Sequence, residues 1–134
     1  EGMAGRVAQT GQPLIVDVGA PQYTAKTFSS RRYEIWTMQS QWHTLPAING
    51  FDQAAGAAFR ARDVVFRPGA DAVSLSLDIA PAYPAEAKVT RWRRDVTLDR
   101  RRGEVTLAED WAVAEAREPV RLHFVTPFTP DVSV

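Results

Sequence analysis

The chain has 134 residues, of which 45% are hydrophobic and 24% charged, and it contains no cysteine. These values are typical of a single globular domain, and they exclude disulfides, thiolate metal sites and a cysteine nucleophile. The 16 basic residues are balanced by 16 acidic ones, and no run of about 18 apolar residues occurs, so we expect no nucleic-acid partner and no membrane span.

Short runs of β-branched and aromatic residues, separated by turn residues, predict an all-β fold along the whole chain. Taken in chain order, the predicted strands are residues 14–18, 33–38, 42–45, 59–66, 73–79, 89–98, 105–107, 111–114 and 120–125. Only residues 54–58 and 82–87 have a helical composition, and both stretches are short. We expect one domain, residues 1–134, built as a two-sheet antiparallel β-sandwich of roughly nine to eleven strands.

Two segments carry the clearest strand patterns. Between residues 73 and 79 apolar side chains alternate with serine and aspartate, which indicates one buried and one solvated face. Residues 89–107 predict a hairpin, because apolar residues of one parity lie on both sides of a polar link that contains Gly103.

Few residues are suited to proton transfer or metal binding. His43 is either a proton carrier or metal ligand or, as its spacing alone favours, a hydrogen-bonded residue at a strand end. His123 lies between apolar residues of a predicted strand, so we expect its side chain to point away from the core without a specific role. Asp17 ends an apolar run and either caps the turn at Gly19, which the sequence by itself favours, or binds a metal.

Two groups of polar residues are candidates for binding an anionic ligand. The arginines at positions 91, 93, 94 and 100–102 are interleaved with acidic residues, so a solvated hairpin is favoured over a surface that grips an anionic polymer. Tyr23, Arg32 and Tyr33 flank a polar stretch. Aromatic rings and a guanidinium suit a sugar carboxylate, which arginine binds through two hydrogen bonds, although such residues also occur at ordinary sheet edges.

An ordered set of motifs covers most of the chain and is densest between residues 11 and 53. The motifs are residues 11–19 (GQPLIVDVG), 23–29 (YTAKTFS), 32–37 (RYEIWT), 40–43 (SQWH), 45–53 (LPAINGFDQ), 92–96 (WRRDV) and 124–127 (FVTP). Together they resemble the carboxyl-terminal β-sandwich domain of heparinase II/III-like polysaccharide lyases, a group that includes oligo-alginate lyases.

The resemblance implies β-elimination at a uronic acid of an anionic polysaccharide. In that reaction a base removes the proton beside the sugar carboxylate, the carboxylate is neutralised, and an acid protonates the leaving oxygen. The family takes its catalytic tyrosine and asparagine largely from an amino-terminal helical toroid, so we expect no catalytic residue in this chain. In zinc-bearing members the residues matching Asp17 and His43 join an upstream histidine around a structural zinc, which implies that both are metal ligands in the parent protein.

The chain departs from the family pattern in two places. A histidine motif, often His-Asn-Asp followed by glycine, normally precedes the strand ending at Asp17, and here it would fall at or before Glu1. The family's His-Asn reads His43-Thr44. We therefore expect a carboxyl-terminal fragment of a larger lyase, inactive alone, with its zinc absent or weakly bound.

The fragment hypothesis predicts self-association, whereas the polymer and the compartment stay open. Loss of the toroid exposes apolar surface, so we expect a homodimer through that face or through an edge strand. The sequence does not decide which uronate polymer is cleaved, and it leaves the compartment open, with a periplasmic or secreted parent slightly favoured. The alternatives are a free-standing carbohydrate-binding sandwich and a structural domain that braces a partner.

Overall fold

The computed structural model describes residues 15–19 and 21–129. The strands in this part of the chain are β1 (Pro46–Ala47), β2 (Arg62–Arg67), β3 (Ala72–Asp78), β4 (Val89–Asp99), β5 (Glu104–Val113) and β6 (Arg121–Leu122). The helices are all short 3-10 turns: Ala25–Phe28, Arg32–Glu34, Trp36–Met38, Ser40–His43, Ala80–Ala82 and Ala85–Ala87. Within the described ranges, no helix has the length and apolar character needed to cross a membrane.

The strands form two antiparallel sheets. Strands β2, β3, β4 and β5 pair in that order, and β1 pairs with β6 in a second sheet of two strands. The predicted all-β class with two antiparallel sheets is therefore confirmed. The predicted number of nine to eleven strands is wrong, because the described residues contain six.

The predicted hairpin is present and is longer than expected. Strands β4 and β5 pair from Asp99↔Glu104 at the turn to Val89↔Val113 at the far end, so the strand predicted at residues 111–114 is largely a continuation of β5. Gly103 closes the turn with a φ of 65°, a conformation that glycine adopts at little cost. The Asp99 carboxylate accepts the backbone N–H groups of Arg101 and Arg102 at 2.9 and 3.0 Å, which fixes the turn further.

Residues 33–38 and 42–45 were predicted as strands and instead belong mainly to consecutive 3-10 turns. Their polar groups are satisfied locally, because the Gln39 side chain donates to the Tyr33 carbonyl at 3.1 Å and accepts from the Trp42 indole at 3.3 Å. Such side-chain bonds compete with pairing in a sheet.

Other predicted strands are absent or shorter than expected. Residues 15–18 form no strand, residue 14 lies outside the described part, and the predicted strands 59–66 and 120–125 are reduced to β2 and β6.

The core lies at one end of the four-stranded sheet. Trp92 of β4 is fully buried and stacks on Trp111 of β5, with ring centroids 5.0 Å apart and an interplanar angle of 13°. The buried residues around Trp92 are Ile48, Ile79, Ala80, Ala82, Tyr83 and Ala87. Arg94 extends from the same face of β4 and donates to the Thr44 carbonyl at 2.8 Å. The run of 3-10 turns is thereby fixed to the sheet at its carboxyl end.

Candidate functional site

A cleft of about 510 Å³ lies between the run of 3-10 turns and the stretch after the Asn49-Gly50 turn. It is lined by Tyr33, Met38, Gln39, Ser40, Gln41, Asp52, Gln53, Ala54 and Ala55. The two walls are joined by a hydrogen bond of 2.9 Å from the Gln53 N–H to the Ser40 hydroxyl. A second bond, from the Ala54 N–H to the Ala82 carbonyl at 3.0 Å, connects one wall to the core. The walls of the cleft are therefore tied to each other and to the core, and the lining combines apolar surface with amide, hydroxyl and carboxyl groups.

Arg32 is not itself one of the residues that line this cleft. It lies over the ring of one of them, Tyr33, and we call this position the rim of the cleft. Its guanidinium carbon is 5.5 Å from the centre of the Tyr33 ring, and one of its nitrogens is 3.6 Å from the Met38 sulfur. Within residues 15–19 and 21–129, Arg32 forms no ion pair. A guanidinium without a carboxylate partner, held over an aromatic ring, is ready to receive an anion from outside the chain.

The two neighbouring cations, unlike Arg32, contact a carboxylate in the described part of the chain. Lys26 and Arg31 both contact the Glu34 carboxylate at 2.9 Å. The hydrogen bond from Arg31, followed by that from Lys26, lowers the pKa of Glu34 to about 2. Two of the three cations in this segment are thus engaged with an internal carboxylate. Arg32 has no such contact with any residue that the structure describes.

The third predicted sugar-binding residue lies apart from the other two. Tyr23 packs against Phe28 with ring centroids 5.6 Å apart, and 66% of its surface is exposed. It is not among the residues that line the cleft. Of the three predicted residues, the structure therefore places only Tyr33 in the lining, with Arg32 over its ring and Tyr23 elsewhere.

The two predicted metal ligands, Asp17 and His43, contact each other directly. His43 Nδ1 lies 2.6 Å from one Asp17 carboxylate oxygen, and His43 Nε2 lies 2.9 Å from the Thr37 carbonyl. The other Asp17 oxygen accepts the Gly19 N–H at 2.7 Å, which is the turn cap that the sequence favoured. The hydrogen bond between the pair raises the pKa of His43 and lowers that of Asp17. Both ring nitrogens face acceptors, so this geometry suits the protonated imidazolium.

This pair does not by itself make a zinc site. Structural zinc takes four ligands and needs a free imidazole lone pair, whereas both nitrogens of His43 are engaged with oxygen acceptors. Among the described residues, no group of three or more histidine, cysteine or acidic side chains is placed to hold a metal ion. A zinc site in the parent protein stays a prediction, and it needs ligands beyond these two.

Two residues at or near the cleft were not predicted as functional. Asp52 lines it, and burial raises the pKa of the Asp52 carboxyl, with an opposing effect from His123. His123 was expected to point away from the core without a specific role, and its ring lies 5.7 Å from that of Trp42. Its Nδ1 atom is buried and has no hydrogen-bond partner among the described residues. A signal that could have pointed towards this region is the concentration of amide and hydroxyl residues between positions 39 and 53.

The arginines of the hairpin are mostly used within the sheet. Exposed ion pairs join Arg91 to Asp110 at 2.8 Å and Arg102 to Glu104 at 3.0 Å. Arg94 differs, because its side chain and that of Glu109 are only 12% and 7% exposed and approach to 2.5 Å. These contacts agree with the interpretation of a solvated hairpin and with a structural role for Arg94.

The chain matches no protein-family model and no curated protein. The resemblance to heparinase II/III-like lyases therefore stays a prediction that rests on the motifs of the sequence.

Proposed function

We propose that this chain is the carboxyl-terminal β-sandwich domain of a heparinase II/III-like polysaccharide lyase, and that it supplies one wall of the cleft that binds a uronic-acid-containing polysaccharide. The motifs between residues 11 and 53 support the family. The observation that carries the substrate class is the Arg32 guanidinium, which lies over Tyr33 at the rim of the cleft and pairs with no carboxylate among the described residues.

Each part of the cleft suits a part of a uronate sugar. Arg32 can bind the sugar carboxylate through two parallel hydrogen bonds, and the Tyr33 ring offers an apolar surface for a sugar face. The Gln39 oxygen is occupied by Gln41 and Trp42, so this side chain has only one N–H left to donate to a sugar hydroxyl. The amide of Gln53 can donate to and accept from sugar hydroxyls. Neutralising the carboxylate is the contribution that β-elimination requires from this wall, because a carbanion beside an ionised carboxylate is highly unstable.

The groups that transfer protons belong, in this proposal, to the helical domain of the parent lyase. The chain alone then binds uronate weakly and cleaves nothing. Asp17 and His43 would hold a structural zinc only together with a histidine from elsewhere in the parent protein, and no step of the elimination involves that metal.

The proposal is tested by titrating the isotopically labelled chain with an unsulfated uronate trisaccharide and following amide resonances by nuclear magnetic resonance. We expect the side-chain amides of Gln39 and Gln53 to shift on binding. Arg32→Gln should weaken binding by about tenfold or more, since a hydrogen bond between charged groups is lost. The matched control is Arg67→Gln, which removes the same charge from an exposed position on β2. Equal binding by both variants would contradict the proposal.

A second measurement addresses the reaction. Joined to the helical domain of a lyase of this family, the chain should support release of an unsaturated product that absorbs in the ultraviolet, and the chain alone should not. Tight sugar binding by the chain alone, without activity in the joined protein, would instead favour a free-standing carbohydrate-binding module.

A further inference from the structure

We infer that this cleft selects unsulfated uronate sugars with free hydroxyl groups, and that Asp52 is the residue that rejects sulfate esters. The inference rests on the proposed function and narrows its substrate class. It concerns the fit between the charges of the cleft and the charges that different uronate polymers carry.

The cleft and its rim carry one positive and one negative side chain. Among the lining residues Asp52 is the only charged one, and the others offer amide, hydroxyl, thioether and methyl groups. Arg32 at the rim supplies one guanidinium. One guanidinium matches the single carboxylate of an unsulfated uronate residue. A sulfated sugar brings further negative charges for which the lining has no cation.

The cations nearest in sequence to Arg32 are already engaged. Lys26 and Arg31 share Glu34 at 2.9 Å. Arg94 of β4 is likewise held by Glu109 at 2.5 Å and by the Thr44 carbonyl. Lys26 and Arg31 bring two positive charges to the single carboxylate of Glu34. Turning one of them, or Arg94, towards a sulfate would compete with its contact to an internal carboxylate. This makes recruitment of a second cation costly.

Asp52 is held in position by its neighbours on both sides. Ile48 and Phe51 exchange backbone hydrogen bonds of 3.0 and 2.9 Å across the Asn49-Gly50 turn just before it. The N–H of Gln53, just after it, is held by the Ser40 hydroxyl at 2.9 Å. The Asp52 side chain is half-buried and makes no hydrogen bond or ion pair with another described residue. A carboxyl held in a cleft without a partner is available to a ligand.

The chemistry of that carboxyl distinguishes hydroxyls from sulfates. A sugar hydroxyl donates a hydrogen bond to a carboxylate oxygen, and two adjacent hydroxyls can donate to both oxygens. A sulfate ester at the same position has no proton to donate and adds a negative charge beside the carboxylate. Like charges in a partly desolvated contact are strongly unfavourable.

The experiment compares one uronate trisaccharide with its chemically O-sulfated derivative, using the same resonance titration of the whole chain. We expect sulfation to raise the dissociation constant by at least about tenfold. Asp52→Asn, which keeps the shape and removes the charge, should reduce that ratio severalfold by tightening the sulfated ligand. The control Asp63→Asn removes the same charge from an exposed position on β2 and should leave the ratio unchanged.

The outcomes test the selectivity against sulfate separately from the proposed binding of uronate. Equal or tighter binding of the sulfated sugar, with binding still dependent on Arg32, would overturn the selectivity and leave the proposed function standing. A ratio that Asp52→Asn does not change would overturn the role of Asp52. If neither sugar shifts the cleft resonances, the proposed function and the inference both fail.

Discussion

At the scale of single residues, the amide of Asn49 connects more of the fold than any residue in the cleft. Its side-chain nitrogen donates to the carbonyls of Ala87 and Glu115 at 2.9 and 2.8 Å. Its side-chain oxygen accepts the N–H groups of Arg117 and Glu118 at 2.8 and 3.1 Å. One buried amide thereby joins the turn that precedes Asp52 to two other segments of the chain. Its four hydrogen bonds leave no polar atom of the amide unsatisfied.

Replacing Asn49 should therefore lower the free energy of unfolding. Glycine is the substitution that isolates the loss of its hydrogen bonds. The φ of Asn49 is 50°, which glycine adopts freely, so Asn49→Gly removes the hydrogen bonds without adding backbone strain. We expect it to lower the free energy of unfolding by about 2–4 kcal/mol, because four backbone groups lose their partner. Urea denaturation measures this change. A loss below about 1 kcal/mol would mean that water replaces the amide without penalty.

The Asp17–His43 pair makes stability depend on pH in a defined direction. The folded pKa of His43 is raised above its ordinary value of 6.5. Its contribution is therefore fully present below pH 6.5 and is lost as pH rises through the raised folded pKa. The folded pKa of Asp17 is lowered from 3.8. That contribution is present above pH 3.8 and is lost as pH falls through the lowered folded pKa.

We expect the stability difference between the natural chain and His43→Gln to be larger at about pH 5.5 than at about pH 9. The change should stay below about 1 kcal/mol, because the two side chains are 33% and 63% exposed and solvent screens the pair. Urea denaturation at both pH values gives the comparison. Asp17→Asn should remove the same pH dependence. If it leaves that dependence intact, the pair is not its source.

At the scale of elements, sequence patterns predicted the parts whose pairing is local. The hairpin of β4 and β5 combines alternating side chains with a glycine turn, and both signals lie within one stretch of chain. The run of 3-10 turns could not be predicted in this way. Its aromatic and β-branched residues indicate strands, yet it is organised by the side-chain bonds of Gln39 and by the link between Arg94 and Thr44. That link joins residues fifty positions apart, which no local pattern reveals.

In the candidate site, too, residues adjacent in the sequence could be predicted, whereas residues placed by long-range contacts could not. Arg32 and Tyr33 could be singled out because they are adjacent in the sequence and have a recognisable chemistry. Asp52 could not, since its position opposite the 3-10 turns depends on the Ile48–Phe51 bridge and the contact between Ser40 and Gln53. The pairing of Asp17 with His43 was suggested only by the family resemblance, because 26 residues separate them.

At the scale of the whole molecule, the four-stranded sheet has one apolar face that is incompletely covered. A row of paired residues crosses all four strands on this face: Phe66, Leu75, Val96 and Leu107. Leu107 and Val96 are half-buried, whereas Leu75 is 36% and Phe66 62% exposed. The free edge of β2 is less suited to pairing, since Asp63 has a φ of 51° at an irregularity in register and arginines stand at both ends. The apolar face is therefore a better surface for self-association than the edge of β2.

We predict that the chain dimerises with increasing concentration through this face, because joining two copies removes exposed apolar surface from water. Phe66→Lys should shift the chain towards the monomer by placing a charge in the contact. Thr106→Lys is the matched control, since it adds the same charge to an exposed position on the opposite face of the sheet. Sedimentation equilibrium over a range of concentrations gives the dissociation constant of each protein. A natural chain that stays monomeric at the highest concentration, or equal weakening by the two lysine variants, would contradict an interface at Phe66.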